Sequence, residues 1–168
     1  MSVIPAASFK DRLAQKRREL VEKSVFELAV PGYEELGLYA RYRVLGYTDV
    51  RQMGLRNEGE AQTTAEGERN TAADVLAEAC VGLLEKTGVD EEGKPVFTEL
   101  GYRWTANAAR DLFGIELPEG VLDRTAIQSI FPYPHDMPMM RHFNDYMTEA
   151  DMGNENIEET LLGESPAA

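Results

Sequence analysis

Residues 70–113, NTAADVLAEACVGLLEKTGVDEEGKPVFTELGYRWTANAARDLF, constrain the fold more than any other stretch of this chain. Ala72, Val75, Leu76, Ala79, Cys80, Leu83 and Leu84 recur at three- and four-residue steps, so they share one face of a helix expected to run from about residue 68 or 71 to 86. An acidic turn around Gly93-Lys94-Pro95 follows, with Gly88 as the stop signal. Leu100, Trp104, Ala108 and Leu112 step by four and predict a second helix, capped by Thr98 and ending near Phe113. Two helices packed through these faces would form the core, with Cys80 and Trp104 inside it. No residue set in the stretch carries evident chemistry.

The segments before it predict a smaller β element. Residues 25–30 are apolar and β-prone, and Pro31-Gly32 punctuates them. In LYARYRVL, Leu38, Ala40, Tyr42 and Val44 alternate with Tyr39, Arg41, Arg43 and Leu45. This predicts a hairpin with one buried face. Two strands alone are marginal in water, so they must pack on helices or pair with another strand, including one from another chain. Ahead of them, a basic helix capped by Ser8 is expected to reach residue 23, with a thin stripe of Phe9, Leu13, Leu20 and Val21. Its plain reading is a solvated helix packed by one edge; the sharper one is a basic helix docking on an acidic partner or a membrane surface.

Thr48 is positioned to cap a short helix to about residue 56, and residues 57–67 read as a polar loop. Asp123 is positioned to cap a helix whose buried side is Ala126, Ile127, Ile130 and Phe131. Asp136 heads a last helix with Met139, Met140, Phe143 and Met147 on one face. Methionine faces either fill cores or serve as adaptable binding surfaces. Past Gly153 the acidic, Asn-containing sequence predicts a disordered tail. The expected class is therefore mainly α with a small N-terminal β-hairpin (α+β). It divides into a basic helix over 1–24, a hairpin plus helical domain over 25–152 and an acidic tail over 153–168.

Charge narrows the function classes. A formal net charge of -13 argues against nucleic acid as the main partner, because phosphate contacts need clustered Lys and Arg. It suits solubility or a basic partner. The single cysteine allows no internal disulfide. No apolar run reaches the roughly 18 residues of a membrane span, and no secretory signal is expected at the N-terminus. His135 and His142, the two histidines, lack a nearby ligand set and read as exposed. VDEEGK lacks the alternating acidic ligands of a calcium loop. Phosphate loops and nucleophile elbows are missing from the sequence, so no cofactor, metal or enzymatic activity is expected.

The order of these segments resembles the tail assembly chaperone family of long-tailed bacteriophages, especially those of actinobacteria. LYARYRVLGYTDVRQM resembles the family's early strand and the helix after it. DVLAEACVGL resembles its central Ala-rich helix, and VDEEGKPVFTELG its D-x-x-G-K-P-L-F turn. TAIQSIFP resembles the later short helix, and the Met-rich helix with an acidic end closing in LLGES resembles the family's C-terminus. Together they cover most of residues 25–165. The basic first helix and Tyr102-Arg103-Trp104 have no counterpart in this pattern.

The resemblance implies a non-enzymatic protein of the infected host's cytoplasm, absent from the mature virion. It would bind the long helical tape measure protein and keep it soluble while tail tube subunits polymerise around it. The tail tube protein and further copies of the chain are secondary expected partners; nucleic acid and membranes are not. The expected contact residues are Tyr39, Arg41 and Arg43 on the strand, and Met139, Met140, Phe143 and Met147 on the last helix. The family's programmed frameshift would fall near Gly163 and Glu164, to give a longer product. A head–tail connector or tail terminator protein is the alternative structural reading. An acidic regulatory domain that mimics DNA is the third.

Overall fold

The computed structural model describes residues 6–131 and 136–162, with side chains over 8–131 and 137–151. Its centre is a four-stranded antiparallel sheet in the order β1-β2-β3-β4, formed by Val25–Ala29, Leu38–Arg43, Cys80–Val89 and Pro95–Glu99. The described helices are α1 (Ala6–Lys23), α2 (Tyr47–Glu60), α3 (Thr64–Ala79), α4 (Ala106–Asp111), α5 (Asp123–Ile130) and α6 (Asp136–Leu162). A 3-10 turn, Glu34–Leu36, links β1 to β2. The class is mixed α+β.

The β1–β2 hairpin forms as its alternation predicts. Leu38, Ala40 and Tyr42 are buried while Tyr39, Arg41 and Arg43 are not. The two strands are, however, half of a larger sheet. Residues 80–89 are strand, not the second half of a helix: α3 ends at Ala79 and the chain enters β3 with no intervening loop. The pairing explains why the sequence misleads. Tyr42 faces Cys80, but Arg41 faces Gly82, so Val81 is an extra residue bulged out of β3. The bulge puts Cys80 and Leu83 on the same sheet face, opposite Tyr42 and Ala40. A spacing of three on one face is what a helix would also give.

Residues 95–99 are likewise β4 rather than the approach to a helix capped by Thr98. Leu100 and Trp104 precede the short α4, which Thr105 caps by accepting the Ala108 N–H at 3.1 Å. Residues 57–67 are not a loop. α2 continues to Glu60, and α3 starts at Thr64 after the Thr63 hydroxyl accepts the Glu66 N–H. Gly46 rather than Thr48 precedes α2, and Ser8 lies inside α1. Leu122, without a side-chain cap, precedes α5; the Asp123 carboxylate instead accepts the Ala106 N–H at 2.8 Å. α6 carries helical backbone past Gly153 to Leu162, so the expected domain limit at 152 is not a helix end. Residues 163–168 of the expected tail, Gly163 and Glu164 among them, lie outside the described residues, as does His135.

The core lies on the face of the sheet that carries Ala40, Tyr42, Cys80 and Leu83. α3, α5 and α6 cover it with Val75, Leu76, Ile127, Ile130, Met139 and Tyr146. Trp104 closes one end, 1% exposed, against Phe131. On the opposite face, Arg41 binds Glu27 at 2.9 Å and Glu99 at 3.5 Å, spanning the whole sheet. Leu84 is buried there beside its cross-strand neighbour Tyr39, which packs on Phe97 at 5.0 Å between ring centroids. Beyond Leu84 the β3–β4 hairpin is an arm: residues 85–96 are exposed on both faces, Val89 and Val96 included.

A candidate partner-binding groove between α2, α3 and α6

The α2–α3 corner is a helical hairpin. Its turn is fixed by Thr63 as cap and by Glu66, whose carboxylate accepts the Gln62 N–H at 3.1 Å. Gly67 is buried against this corner, and a Cβ there would meet Ala61 Cβ at 3.4 Å and the Asn57 carbonyl oxygen at 3.5 Å. A small residue therefore sets how closely the two helices approach. Asn57 is fully buried and bridges them. Its amide donates to Thr71 Oγ1 at 3.2 Å and Asp74 Oδ2 at 2.9 Å. The same carboxylate also binds Arg56 at 3.2 Å and Arg124 at 3.0 Å, which ties α5 to the pair.

Where α6 crosses this hairpin a surface cavity of about 770 Å³ opens. Met140 and Phe143 of α6 form part of its lining with half-buried side chains. Leu55 of α2 lies at its edge, 57% exposed. Glu58 and Glu68 line it from α2 and α3, with Arg51 as the described cation. Neighbouring Glu60 and Glu66 add negative charge at the corner. The result is a concave surface with an apolar lining and a mostly acidic rim. Such a surface suits an amphipathic helix, laid in by its apolar face with basic residues outward.

The residues expected as contacts separate. Met140 and Phe143 line the groove, and Met147 is half-buried one turn further along α6. Met139 is a correction: it is fully buried in the core and presents no surface. The core-facing side of α6 is Met139, His142, Tyr146 and Ala150. The strand residues lie elsewhere, and each already has a partner. Arg41 is held by Glu27 and Glu99, Arg43 by Glu78 at 2.9 Å, and Tyr39 by Phe97. Sequence reasoning missed Leu55 and the α2–α3 corner, because the polar run over 57–67 hides a helix turn anchored by one buried asparagine.

His142 is a second correction, because it is buried rather than exposed. Its Nε2 lies 2.6 Å from the Tyr42 hydroxyl, which accepts the Trp104 indole N–H at 2.7 Å. Burial lowers its pKa to about 4 and raises that of Tyr42 well above the usual phenol value. Burial likewise pushes the Cys80 thiol up to about 11. All three groups sit in the closed core, away from the groove.

Among the described residues, no cluster of three or more His, Cys, Asp or Glu is arranged to hold a metal ion. Nor is any described helix long and apolar enough to cross a membrane. No protein-family model, no curated protein and no solved structure matches this chain.

Proposed function

We propose that the protein is a non-enzymatic helix-binding chaperone of phage tail assembly. In this reading the groove between α2, α3 and α6 takes an apolar stripe of the tape measure protein. The observation that carries it is the pairing of Met140 and Phe143 with exposed Leu55 in one open, acid-rimmed concavity. A long helical protein with uncovered apolar stripes aggregates. A small acidic binder would cover those stripes and add negative charge, and the formal charge of -13 suits that role. Flexible methionine adapts to successive, non-identical stripes, as a binder of a long helix must. Contacts of modest area would release the partner to tube subunits. The segment resemblance supports the phage assignment, and the reading places the protein in the host cytoplasm.

Co-expression with the tape measure protein tests this. The wild-type chain should raise the soluble fraction of its partner several-fold, and Met140→Ser with Phe143→Ser should remove most of that gain. A folded double variant that solubilises as well as wild type would exclude the groove. A wild-type chain without effect would exclude the chaperone reading. Gly163 and Glu164 enter only through the coding DNA, where a slippery run and an overlapping downstream frame are the features to seek.

A second reading draws on the β3–β4 arm, exposed on both faces. Projecting arms are suited to contacts between ring subunits, as in a head–tail connector or tail terminator. Mass spectrometry of purified virions separates the two, because only a structural ring protein would be present at ring stoichiometry.

A further inference from the structure

Helix α1 is poorly accommodated by its own body. Phe9 and Leu13 are 54% and 55% exposed, and they fall with half-buried Leu20 within about 40° around the helix. The main contacts of α1 are with β1 and α6. Only Ser24 separates its end at Lys23 from the start of β1 at Val25, so there is no slack to carry the stripe to the α2–α3 corner of the same chain.

The charges of helix and groove are opposite. α1 holds Lys10, Arg12, Lys16, Arg17, Arg18 and Lys23 against Asp11, Glu19 and Glu22, in a chain that is otherwise strongly acidic. Arg12 and Arg17 flank the apolar stripe on either side, and Lys10, Lys16 and Arg17 make no ion pair with described residues. The groove offers what this helix lacks: Leu55, Met140 and Phe143 for the stripe, with Glu58 and Glu68 against one cation, Arg51, at the rim for the flanking basic residues.

We infer that the groove receives helix α1 of a second copy of this chain, reciprocally, in a two-fold pair. The self-complementary element and seat are those of an exchanged-helix dimer, which buries both surfaces twice. The pairing goes beyond the chaperone reading and does not rest on it, although a tape measure helix would have to displace α1 from the same groove.

Light-scattering mass of the purified full chain tests it, with two variants whose altered side chains are solvent-exposed and so leave the core intact. The wild type should run at twice the 18.8 kDa monomer mass at high micromolar concentration. Leu13→Glu, which spoils the helix, and Leu55→Glu, which spoils the seat, should each run as monomers. A monomeric wild type, or a dimer indifferent to either substitution, would overturn the exchange. A tape measure helix would compete with α1 for this groove, and its solubilisation is read separately by the co-expression assay.

Discussion

The Tyr42 hydroxyl and His142 Nε2 lie 2.6 Å apart in the core, although 100 positions separate the residues in the chain. The Trp104 N–H also donates to the Tyr42 oxygen at 2.7 Å, so that one oxygen joins the indole and the imidazole. The other ring nitrogen, Nδ1, has no hydrogen-bond partner among the described residues. Strand β2, the loop before α4 and helix α6 thus meet on one oxygen atom. Tyr42→Phe keeps the shape but strands two buried polar groups, the indole N–H and Nε2. The expected loss is about 2–3 kcal/mol of unfolding free energy. Urea titration at neutral pH reads it directly, and an unchanged midpoint would mean that the bonds contribute nothing net.

His142 also sets a pH response. Burial holds its folded pKa at about 4, below the ordinary 6.5. The unfolded chain therefore binds a proton that the folded chain refuses. This group's contribution to stability is complete above about pH 7 and is lost as pH falls from 6.5 towards 4. Its slope in that window is on the order of 1.4 kcal/mol per pH unit. His142→Asn should flatten the difference between unfolding curves taken at pH 7 and pH 5. Parallel pH dependence in variant and wild type would show that other groups dominate the window.

Cys80 should be inert in the native protein. It is 1% exposed, and burial raises its thiol pKa to about 11, so little thiolate forms at pH 8. Labelling by a thiol-directed alkylating reagent should follow the rate of unfolding and become fast only in denaturant. Rapid labelling under native conditions would reveal opening at the α3–β3 junction.

Asp74 is the knot between α2, α3 and α5, accepting from Asn57, Arg56 and Arg124. Asp74→Ala leaves a buried amide and the half-buried Arg124 guanidinium short of an acceptor. A loss of about 2–4 kcal/mol is expected, larger than that of Glu78→Ala, whose ion pair with Arg43 is half exposed. The two variants compared by thermal melting check the order.

Much of the fold is legible wherever a segment's burial is one-sided and local. The alternation in 38–43, the stripe Ala126, Ile127, Ile130 and the start of α6 all follow from periodicity. The largest misreading, helix over 80–86, arises because the Val81 bulge gives a strand the three-residue spacing of a helix. β4 escaped because its burial is slight and its pairing is with β3, itself misassigned. Half of the groove is visible in advance as Met140 and Phe143. The other half depends on α2 folding back on α3, and the one cue, buried Asn57, sits in a run of ordinary surface residues. The Tyr42–His142 bond has no local signature at all.

The direct passage from Ala79 in α3 to Cys80 in β3 has a consequence for how such a chain can vary in length. A loop absorbs an inserted residue, but no loop separates these elements. One added residue would turn α3 by about 100° against α5 and α6, or invert every side chain of β3 relative to its neighbours. Either change would empty part of the core. The β3–β4 arm, exposed on both sides, faces no such limit, so length differences among relatives should gather in its tip and spare the junction.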